Sequence, residues 1–319
     1  MPGNHVTNHG HLTLGAPMDS ALATDNLTCR YGRTEAVSGL TLAVEPGTLF
    51  ALLGPNGAGK TTTIRMLMNI LRPASGRATV LGVDSRRLGA AQFKTIGYVS
   101  ENQQLPSWMT VGALVAYCRP WYPSWDDALC RKLLADFDLP TTTTIGRLSR
   151  GMRVAAALVS SLAYRPKLLV LDEPFSGLDP VVRDDLVRGV LELAGEEQWT
   201  VFLSSHDLDE VERLVDAVGF IDLGTLVLTE PLADLHARFR RVEVTIDSVA
   251  SGEVPAPEPS WIGLQHAGRV TRFVETRYVD GETERRAHGA FGGTRVEVFA
   301  MTLREMFVAI ARDRREARP

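Results

Sequence analysis

The sequence has few cysteines, few lysines and no long apolar run. Its 319 residues contain three cysteines, Cys29, Cys118 and Cys130, and none of them forms a CxxC pair. A sparse and odd set argues against a zinc site and favours a reducing compartment. No run reaches the roughly 18 apolar residues of a membrane helix, and the first residues do not resemble a signal peptide. We therefore expect a cytoplasmic chain that meets a membrane only through a partner.

Basic charge is carried almost entirely by arginine, and neither sign of charge dominates. Lys60, Lys94, Lys132 and Lys167 are the only lysines among 34 basic residues, which face 38 acidic ones for a net charge of −4. Because there is no long basic run, we expect no nucleic-acid partner. The composition, 45% hydrophobic and 23% charged, is that of a globular protein of about two domains.

Sequence texture divides the chain into three parts. Residues 1–18 lack periodicity and predict a disordered tail. Residues 19–236 alternate apolar strands with helical patterns, which predicts an α/β core with a parallel sheet and helices on both faces. Within this part, about 103–165 are mostly helical and predict a helical subdomain. Residues 237–319 predict a small α+β C-terminal domain.

The period of the apolar residues predicts the individual elements. In chain order we expect a strand at 49–53, helices at 61–73 and 152–164, a strand at 167–174, a helix at 181–194, a strand at 200–205, a helix at 207–216, a strand pair at 218–228, strands at 242–249, 269–276 and 294–301, and a helix at 302–313.

A glycine-rich segment, GPNGAGKTT, joins the strand at 49–53 to the next helix and fits the pattern G-x-x-x-x-G-K-[ST]. Glycines let backbone N–H groups approach phosphate oxygens, and the helix points its positive end at the same anion. The pattern assigns Lys60 to the β- and γ-phosphates and the Thr61 hydroxyl to Mg²⁺. The predicted phosphate-binding residues are Gly54, Pro55, Asn56, Gly57, Ala58, Gly59, Lys60, Thr61 and Thr62.

Two acids end the apolar strand LLVLDEP. Asp172 stands where an ATPase with such a loop places its magnesium acid. Glu173 stands where a general base could activate a water molecule. Alone this ending is a weak signal, since it could be a solvated strand end, but it follows a phosphate-binding loop and so gains weight.

Three further motifs surround that strand: LSRGM at 148–152, SGLDP at 176–180 and SSHDLDEVERL at 204–214. In this order and spacing, the five motifs resemble those of the ATP-binding-cassette (ABC) ATPase family, over roughly residues 19–236. The resemblance implies a P-loop NTPase core that binds ATP with Mg²⁺, with catalytic roles for Lys60, Glu173 and His206.

The resemblance also assigns roles at a dimer interface. Ser149 and Gly151 would contact the γ-phosphate of ATP held by a second copy, and Asp179 would lie at the seam between the copies. His206 would hold the γ-phosphate and the attacking water, and Tyr31 would stack on adenine. Simpler interpretations stay open, because Ser149 and Asp179 are also good helix N-caps.

The sequence departs from the family pattern at two places. Glu101 stands where the family usually has a glutamine near the magnesium site, although Gln103 and Gln104 lie close enough for the alignment to slip. Arg150 and Met152 replace the usual Gly and Gln of the signature. Both departures resemble a bacterial exporter-type branch with an LS-basic-GM signature. We count Glu101 with Thr61 and Asp172 as candidate magnesium residues.

The same branch implies a surface for a membrane partner. Trp108, Trp121, Tyr122 and Trp125 could line a groove for the coupling helix of a transmembrane subunit, or could pack the helical subdomain. The resemblance as a whole implies a homodimeric motor that holds two ATP molecules. It would drive a separately encoded permease from the cytoplasmic face, and export is the expected direction. Two alternatives are a soluble ABC ATPase without a transport role and a weakly hydrolysing regulatory module.

Overall fold

The computed structural model describes residues 20–246, 258–292 and 295–316. The predicted tail at 1–18 and the end of the predicted strand at 242–249 lie outside these ranges. In chain order the strands and helices are β1 (Leu22–Tyr31), β2 (Thr34–Val44), β3 (Leu49–Leu53), α1 (Lys60–Leu67), β4 (Ser75–Val80), β5 (Val83–Asp84), α2 (Ala90–Phe93), β6 (Ile96–Ser100), α3 (Val111–Cys118), α4 (Asp127–Asp136), α5 (Arg150–Leu162), β7 (Leu168–Asp172), α6 (Pro180–Glu196), β8 (Thr200–Ser205), α7 (Leu208–Val211), β9 (Ala217–Asp222), β10 (Thr225–Pro231), α8 (Leu232–Arg238), β11 (Arg240–Thr245), β12 (Trp261–Ala267), β13 (Val270–Glu275), α9 (Glu282–Phe291), β14 (Arg295–Ala300) and α10 (Leu303–Glu316).

A six-stranded sheet forms the centre of the molecule, in the order β10-β9-β3-β8-β7-β6. The last five of these strands are parallel, and β10 pairs antiparallel with β9 at the edge. Successive residues of β3 point to opposite faces, so Ala51 and Leu53 join one apolar cluster and Phe50 and Leu52 join the other. Both faces are therefore buried, as the continuous apolar strands predicted.

The two faces of the central sheet have different coverings. The helices α3 to α6 pack on one face, and α3 to α5 lie within 103–165, where a helical subdomain was predicted. The other face carries α1 and a four-stranded antiparallel sheet in the order β2-β1-β4-β5. The predicted parallel sheet with helices on both faces is confirmed. The antiparallel sheet was not predicted, because register shifts in β1 break the alternation of its side chains.

Two predicted helices are shorter in the structure. The helix predicted at 61–73 ends at Leu67, because Asn69 adopts a left-handed φ of 57° and its side chain donates to the carbonyl of Leu88. The helix predicted at 207–216 is reduced to α7. There the chain must leave the helix so that Asp216 can exchange backbone and side-chain hydrogen bonds with Leu49 at the start of β3.

The C-terminal part contains an antiparallel sheet in the order β12-β13-β11-β14. It has its own apolar cluster around Val242, Trp261 and Phe273, and neither β12 nor α9 was predicted. The helix α10 contacts both parts: it packs against β12, and its Phe307 ring lies 5.1 Å from that of Phe220 in β9. A division near residue 237 remains a proposal, and α10 contacts both of the units that it would separate. Every helix within the described ranges is too short or too polar to span a bilayer.

Candidate functional site

The glycine-rich loop between β3 and α1 has a backbone that only glycine permits at two positions. A β-carbon on Gly54 would lie 2.2 Å from the carbonyl oxygen of Ile221, and one on Gly59 would lie 2.6 Å from that of Ala36. Gly59 also has a φ of 107°, just before the first turn of α1. The loop is thus held against β9 and β2, while Asn56 and Gly57 at its tip are exposed. Its N–H groups are available to an anion at the helix N-terminus.

Lys60 is the most buried cation of this site, with only 3% of its side chain exposed. Its Nζ donates to the carbonyls of Gly54 at 2.7 Å and Pro55 at 3.1 Å, and lies 2.9 Å from Oε1 of Glu173. A buried ammonium requires such partners, because desolvation of an unpaired charge is unfavourable. The lysine is therefore folded over its own loop and paired with the predicted base.

Asp172 ends β7 beside the loop. Its Oδ1 accepts from the hydroxyls of Thr61 and Ser204, each at 2.9 Å. Burial raises the pKa of the Asp172 carboxyl above its usual value, the two hydroxyls oppose this rise, and the nearby charge of Glu173 adds to it. Thr61 and Asp172 thus present adjacent oxygen atoms, the donor type that Mg²⁺ prefers.

Glu173 lies between two groups that were predicted to act with it. Its Oε1 is 2.9 Å from Lys60 Nζ, and its Oε2 is 2.9 Å from Nδ1 of His206, which follows β8. Its backbone has a φ of 47°, a left-handed conformation that is uncommon outside glycine. Ser204 stabilises this turn, since its Oγ accepts from the Glu173 N–H at 3.0 Å.

Ser204 is the residue that the sequence reasoning missed. It is fully buried and connects the two acids, donating to Asp172 and accepting from Glu173. A signal was present, because Ser204 stands in the motif that contains His206, on the strand next to the acid-bearing one. Only the register of β7 and β8, which sets Asp172 opposite Ser204, shows the contact.

The signature turn and the residues after Glu173 begin two helices. Ser149 is the N-cap of α5, and its Oγ accepts from the N–H of Met152 at 3.2 Å. Asp179 is the N-cap of α6, and its Oδ1 accepts from the N–H of Val181 at 3.0 Å. Both simpler interpretations are therefore observed. Ser149 and Asp179 are also exposed, so both stay accessible to a second copy.

Gly151 stands one residue inside α5 and packs against the start of α6. A β-carbon there would lie 2.8 Å from Cγ1 of Val182. A larger residue there would therefore require the Val182 side chain or the signature turn to shift. This close approach gives Gly151 a packing reason in addition to its predicted contact with phosphate.

Glu101 follows β6 and lies beside Asp172, whose carbonyl accepts from its N–H at 2.9 Å. Its Oε1 lies 3.4 Å from Nη2 of Arg150 in the signature turn. The neighbouring Gln103 uses its side-chain oxygen to accept from the N–H of Ser100 at 3.3 Å. Of these two residues, Glu101 is the one that reaches the signature turn.

The predicted aromatic residues fall into two groups. Trp108 and Trp121 are 78% and 61% exposed on the helical subdomain. Tyr122 stacks on Tyr164 at 3.8 Å between ring centroids, and Trp125 is half-buried beside it. Two rings thus face solvent and two pack inward. Tyr31, the predicted adenine platform, is 49% exposed at the end of β1.

The fold and the site together define a class. A parallel sheet, a phosphate-binding loop before α1, and acids at the ends of neighbouring strands define a P-loop nucleotide hydrolase. Residues 37–176 match the family described as "ABC transporter". The chain belongs to the ATP-binding subunits of ABC transporters, and it is an ATPase of that family.

Two relatives carry this assignment. The bacitracin transport ATP-binding protein BcrA of Bacillus licheniformis is 34% identical over 226 residues, which cover 70% of this chain and 74% of that protein. The daunorubicin resistance ATP-binding protein DrrA3 of Streptomyces coeruleorubidus is 38% identical over 223 residues, which cover 68% of this chain and 69% of that protein.

Solved structures agree on the fold. An ATP-binding subunit of an ABC transporter aligns with a TM-score of 0.61 and 25% identity, over 68% of this chain and 92% of that one. A bacterial ABC transporter cassette solved as a dimer aligns with a TM-score of 0.60 over 66% of this chain and 98% of that one. At 19% identity, the second likeness concerns the fold alone.

Proposed function

We propose that this chain is the motor of an export-type ABC transporter, and that two copies close on two ATP molecules. Each nucleotide would lie between the glycine-rich loop of one copy and the signature turn of the other. The observation that carries this proposal is the position of Glu173, held between Lys60 and His206 beside the Thr61–Asp172 pair. The proposed base, the phosphate-binding lysine and two oxygen atoms suited to Mg²⁺ therefore meet at one edge of the central sheet.

Binding of ATP would exchange the internal partners of Lys60 for phosphate oxygens. The ammonium of Lys60 is held by the loop carbonyls of Gly54 and Pro55 and by the carboxylate of Glu173. A triphosphate, with more charge than one carboxylate, competes well for this cation. Glu173 then loses one of its two partners and becomes free to accept a proton from water.

The remaining residues orient the reaction. His206 stays within hydrogen-bond distance of Glu173 and would direct the water toward the γ-phosphate. Mg²⁺, when bound through Thr61 and Asp172, would neutralise charge on the phosphate oxygens. Glu101 is the third candidate for that site, through its position beside Asp172. Water adds to the γ-phosphorus, the bond to the bridging oxygen breaks, and Glu173 takes the proton.

The membrane partner would dock on the exposed aromatic face of the helical subdomain. Trp108 and Trp121 present large apolar surfaces to solvent, which is typical of interface anchors. Their helical subdomain contains α5, whose first turn carries the signature. A partner on this face could therefore sense the position of the signature turn. We infer a separately encoded permease at the cytoplasmic face of the membrane.

The direction and cargo are inferred from relatives. The names of BcrA and DrrA3 refer to bacitracin transport and daunorubicin resistance. We propose export of a compound of comparable kind, selected by the permease rather than by this chain.

The first experiment measures the size of the purified Glu173→Gln protein with and without Mg-ATP. We expect a monomer without nucleotide and a dimer with it, because the substitution keeps the shape of the site and stops hydrolysis. A Lys60→Ala, Glu173→Gln protein serves as the matched control and should stay monomeric. A Glu173→Gln protein that binds ATP yet stays monomeric would contradict the two-copy arrangement.

The second experiment tests the docking face. Trp108→Ser and Trp121→Ser should reduce capture of the chain by membranes that contain the permease, while ATP binding of the purified chain persists. Ile70→Ser is the control, because Ile70 is 59% exposed but lies after α1, outside the helical subdomain. Equal capture of all three variants would contradict this docking face.

A further inference from the structure

Arg150 joins two loops that come from different parts of the chain. It is the first residue of α5, directly after the N-cap Ser149. Its Nη2 lies 3.4 Å from Oε1 of Glu101, and its guanidinium also lies over Gly177. A β-carbon on Gly177 would come within 2.8 Å of Nη1 of Arg150. The glycine, with a φ of 65°, therefore leaves the space that the guanidinium occupies.

Each charge of this pair is unfavourable by itself. A cation in the first turn of a helix opposes the helix dipole, whose positive end lies there. Glu101 adds a third carboxylate next to Asp172 and Glu173, and its backbone is tied to Asp172 by a hydrogen bond of 2.9 Å. When the two side chains meet, each offsets the charge of the other.

We propose that Arg150 is a positioning residue, which acts through Glu101 to hold the signature turn. This inference rests on the proposed function, in which that turn serves the ATP of a second copy. The pair then connects the two nucleotide sites of the dimer within one chain. Glu101 belongs to the edge that holds the chain's own nucleotide, and Arg150 belongs to the turn that faces the other.

The exposure of the pair suits an adjustable connection. The side chains of Arg150 and Glu101 are 49% and 36% exposed. Exposed ion pairs contribute little to stability and are screened by salt. A contact of this kind can open or shift when two copies close, whereas a buried pair would fix the turn permanently.

The test measures the Mg-ATP concentration at which half of the Glu173→Gln protein is dimeric. Four proteins are compared in that background: the unaltered pair, Glu101→Gln, Arg150→Gln and the double variant. Each substitution removes one charge; Glu101→Gln keeps the side-chain shape, whereas Arg150→Gln also shortens the side chain. Measurements at about 0.05 M and about 0.5 M salt separate the charge interaction from packing, since screening shortens the range of charge effects.

We expect each single variant to raise the midpoint roughly three- to five-fold at low salt, the size expected of an exposed pair. The midpoint of the double variant should be no higher than that of the poorer single variant, because each substitution removes the same contact. At high salt the difference between Glu101→Gln and the unaltered pair should shrink. Arg150→Lys, which keeps the charge, should restore part of the loss.

Arg153→Gln supplies the matched control. Arg153 lies on the same helix but donates to the carbonyl of Leu148 at 2.7 Å. The fold-increase in the midpoint caused by Arg153→Gln should therefore multiply with the fold-increase caused by Glu101→Gln. Thermal unfolding of every variant, without nucleotide, should stay close to that of the unaltered pair, which excludes partial unfolding as the cause of a raised midpoint.

Two outcomes would overturn the inference while leaving the proposed function standing. One is multiplication of the Glu101→Gln and Arg150→Gln effects in a protein that still dimerises with ATP. The other is a loss that is equal at both salt concentrations. A Glu173→Gln protein that never dimerises would instead remove the two-copy arrangement, and the inference with it.

Discussion

The nucleotide edge of the central sheet holds the carboxylate of Glu173, and the C-terminal sheet holds that of Glu275. The two carboxylates differ in the groups that pair with them. Glu275 is fully buried and accepts from Nε1 of Trp261 at 3.0 Å, Nη2 of Arg286 at 2.8 Å and the N–H of Arg277 at 2.7 Å. These donors come from the same small sheet and its helix α9. All three donors therefore belong to the part of the chain that contains Glu275 itself.

Glu173 has partners that a ligand can take away. Lys60 also donates to a carbonyl of the glycine-rich loop, and the side chain of His206 is 44% exposed. The backbone of Glu173 is left-handed. The comparison shows that a buried charge does not by itself identify a functional site. The functional site is identified by a charged residue whose partners also bind other groups and whose backbone conformation is strained.

The largest expected effect comes from replacing Glu173 at the nucleotide edge. Glu173→Gln should lower ATP turnover by roughly 10²–10³-fold, about 3–4 kcal/mol, because the amide cannot accept the proton of the attacking water. Nucleotide binding should persist, since Lys60 remains. Phosphate release and binding of a fluorescent ATP analogue, measured on the same preparation, check both parts. A variant that hydrolyses ATP at the normal rate would rule out this role.

The second effect comes from replacing Glu275 in the C-terminal sheet. Glu275→Ala should destabilise the protein by about 2–3 kcal/mol, because it leaves Arg286 and the Trp261 indole without their buried acceptor. Denaturant unfolding followed by tryptophan fluorescence measures it. Glu258→Ala is the control, since Glu258 also binds Arg286 but is 35% exposed. Equal losses in both variants would mean that burial of Glu275 adds nothing.

A third effect sharpens the comparison by changing stability in the opposite direction. Asp172→Asn should stabilise the fold by about 1 kcal/mol, because burial disfavours the charged carboxylate and the amide oxygen can still accept from Thr61 and Ser204. The same variant should lose magnesium-dependent hydrolysis. Thermal unfolding without nucleotide checks the stability. A lower melting temperature would show that the charge itself supports the fold.

The smallest effect concerns the contact between α10 and the nucleotide edge of the central sheet. Arg304, at the start of α10, binds Asp209 at 2.8 Å and Asp207 at 3.4 Å, next to His206. Both Arg304 and Asp209 are more than half exposed, so Arg304→Gln should cost under about 0.5 kcal/mol. Denaturant unfolding of the full chain gives the value. A loss above about 2 kcal/mol would mean that α10 is held in place by charge rather than by apolar packing.

The sequence predicted the central part of the site because its residues follow apolar strands. Parallel strands bring their carboxyl ends to one edge, so the loop at Gly54, the acids at Asp172 and the histidine at His206 had to meet there. The role of Ser204 could not be predicted, since it depends on which residues stand opposite one another in β7 and β8. The contact between Arg150 and Glu101 spans 49 residues of chain and has no local signal.

The individual helices and strands were predicted unevenly. The helical subdomain followed from apolar periodicity, but α1 and α7 end early because of tertiary contacts of Asn69 and Asp216. The strand β12 was missed because Gly263 interrupts its pairing with β13, where the register shifts. Four of the ten residues of α9 are arginine or glutamate and only Thr283 and Ala287 are buried, so its apolar stripe is narrow and gave little signal.

The position of α10 has a consequence for biosynthesis. Leu303, Met306 and Phe307 complete the apolar core that surrounds the central sheet, yet they are translated after the whole C-terminal sheet. Chains fold from the N-terminus as they leave the ribosome. The first unit therefore emerges with the ring of Phe220 lacking its partner, and it waits in that state while β11 to β14 are made. Packing of the first unit around the central sheet would then be completed only when α10 arrives.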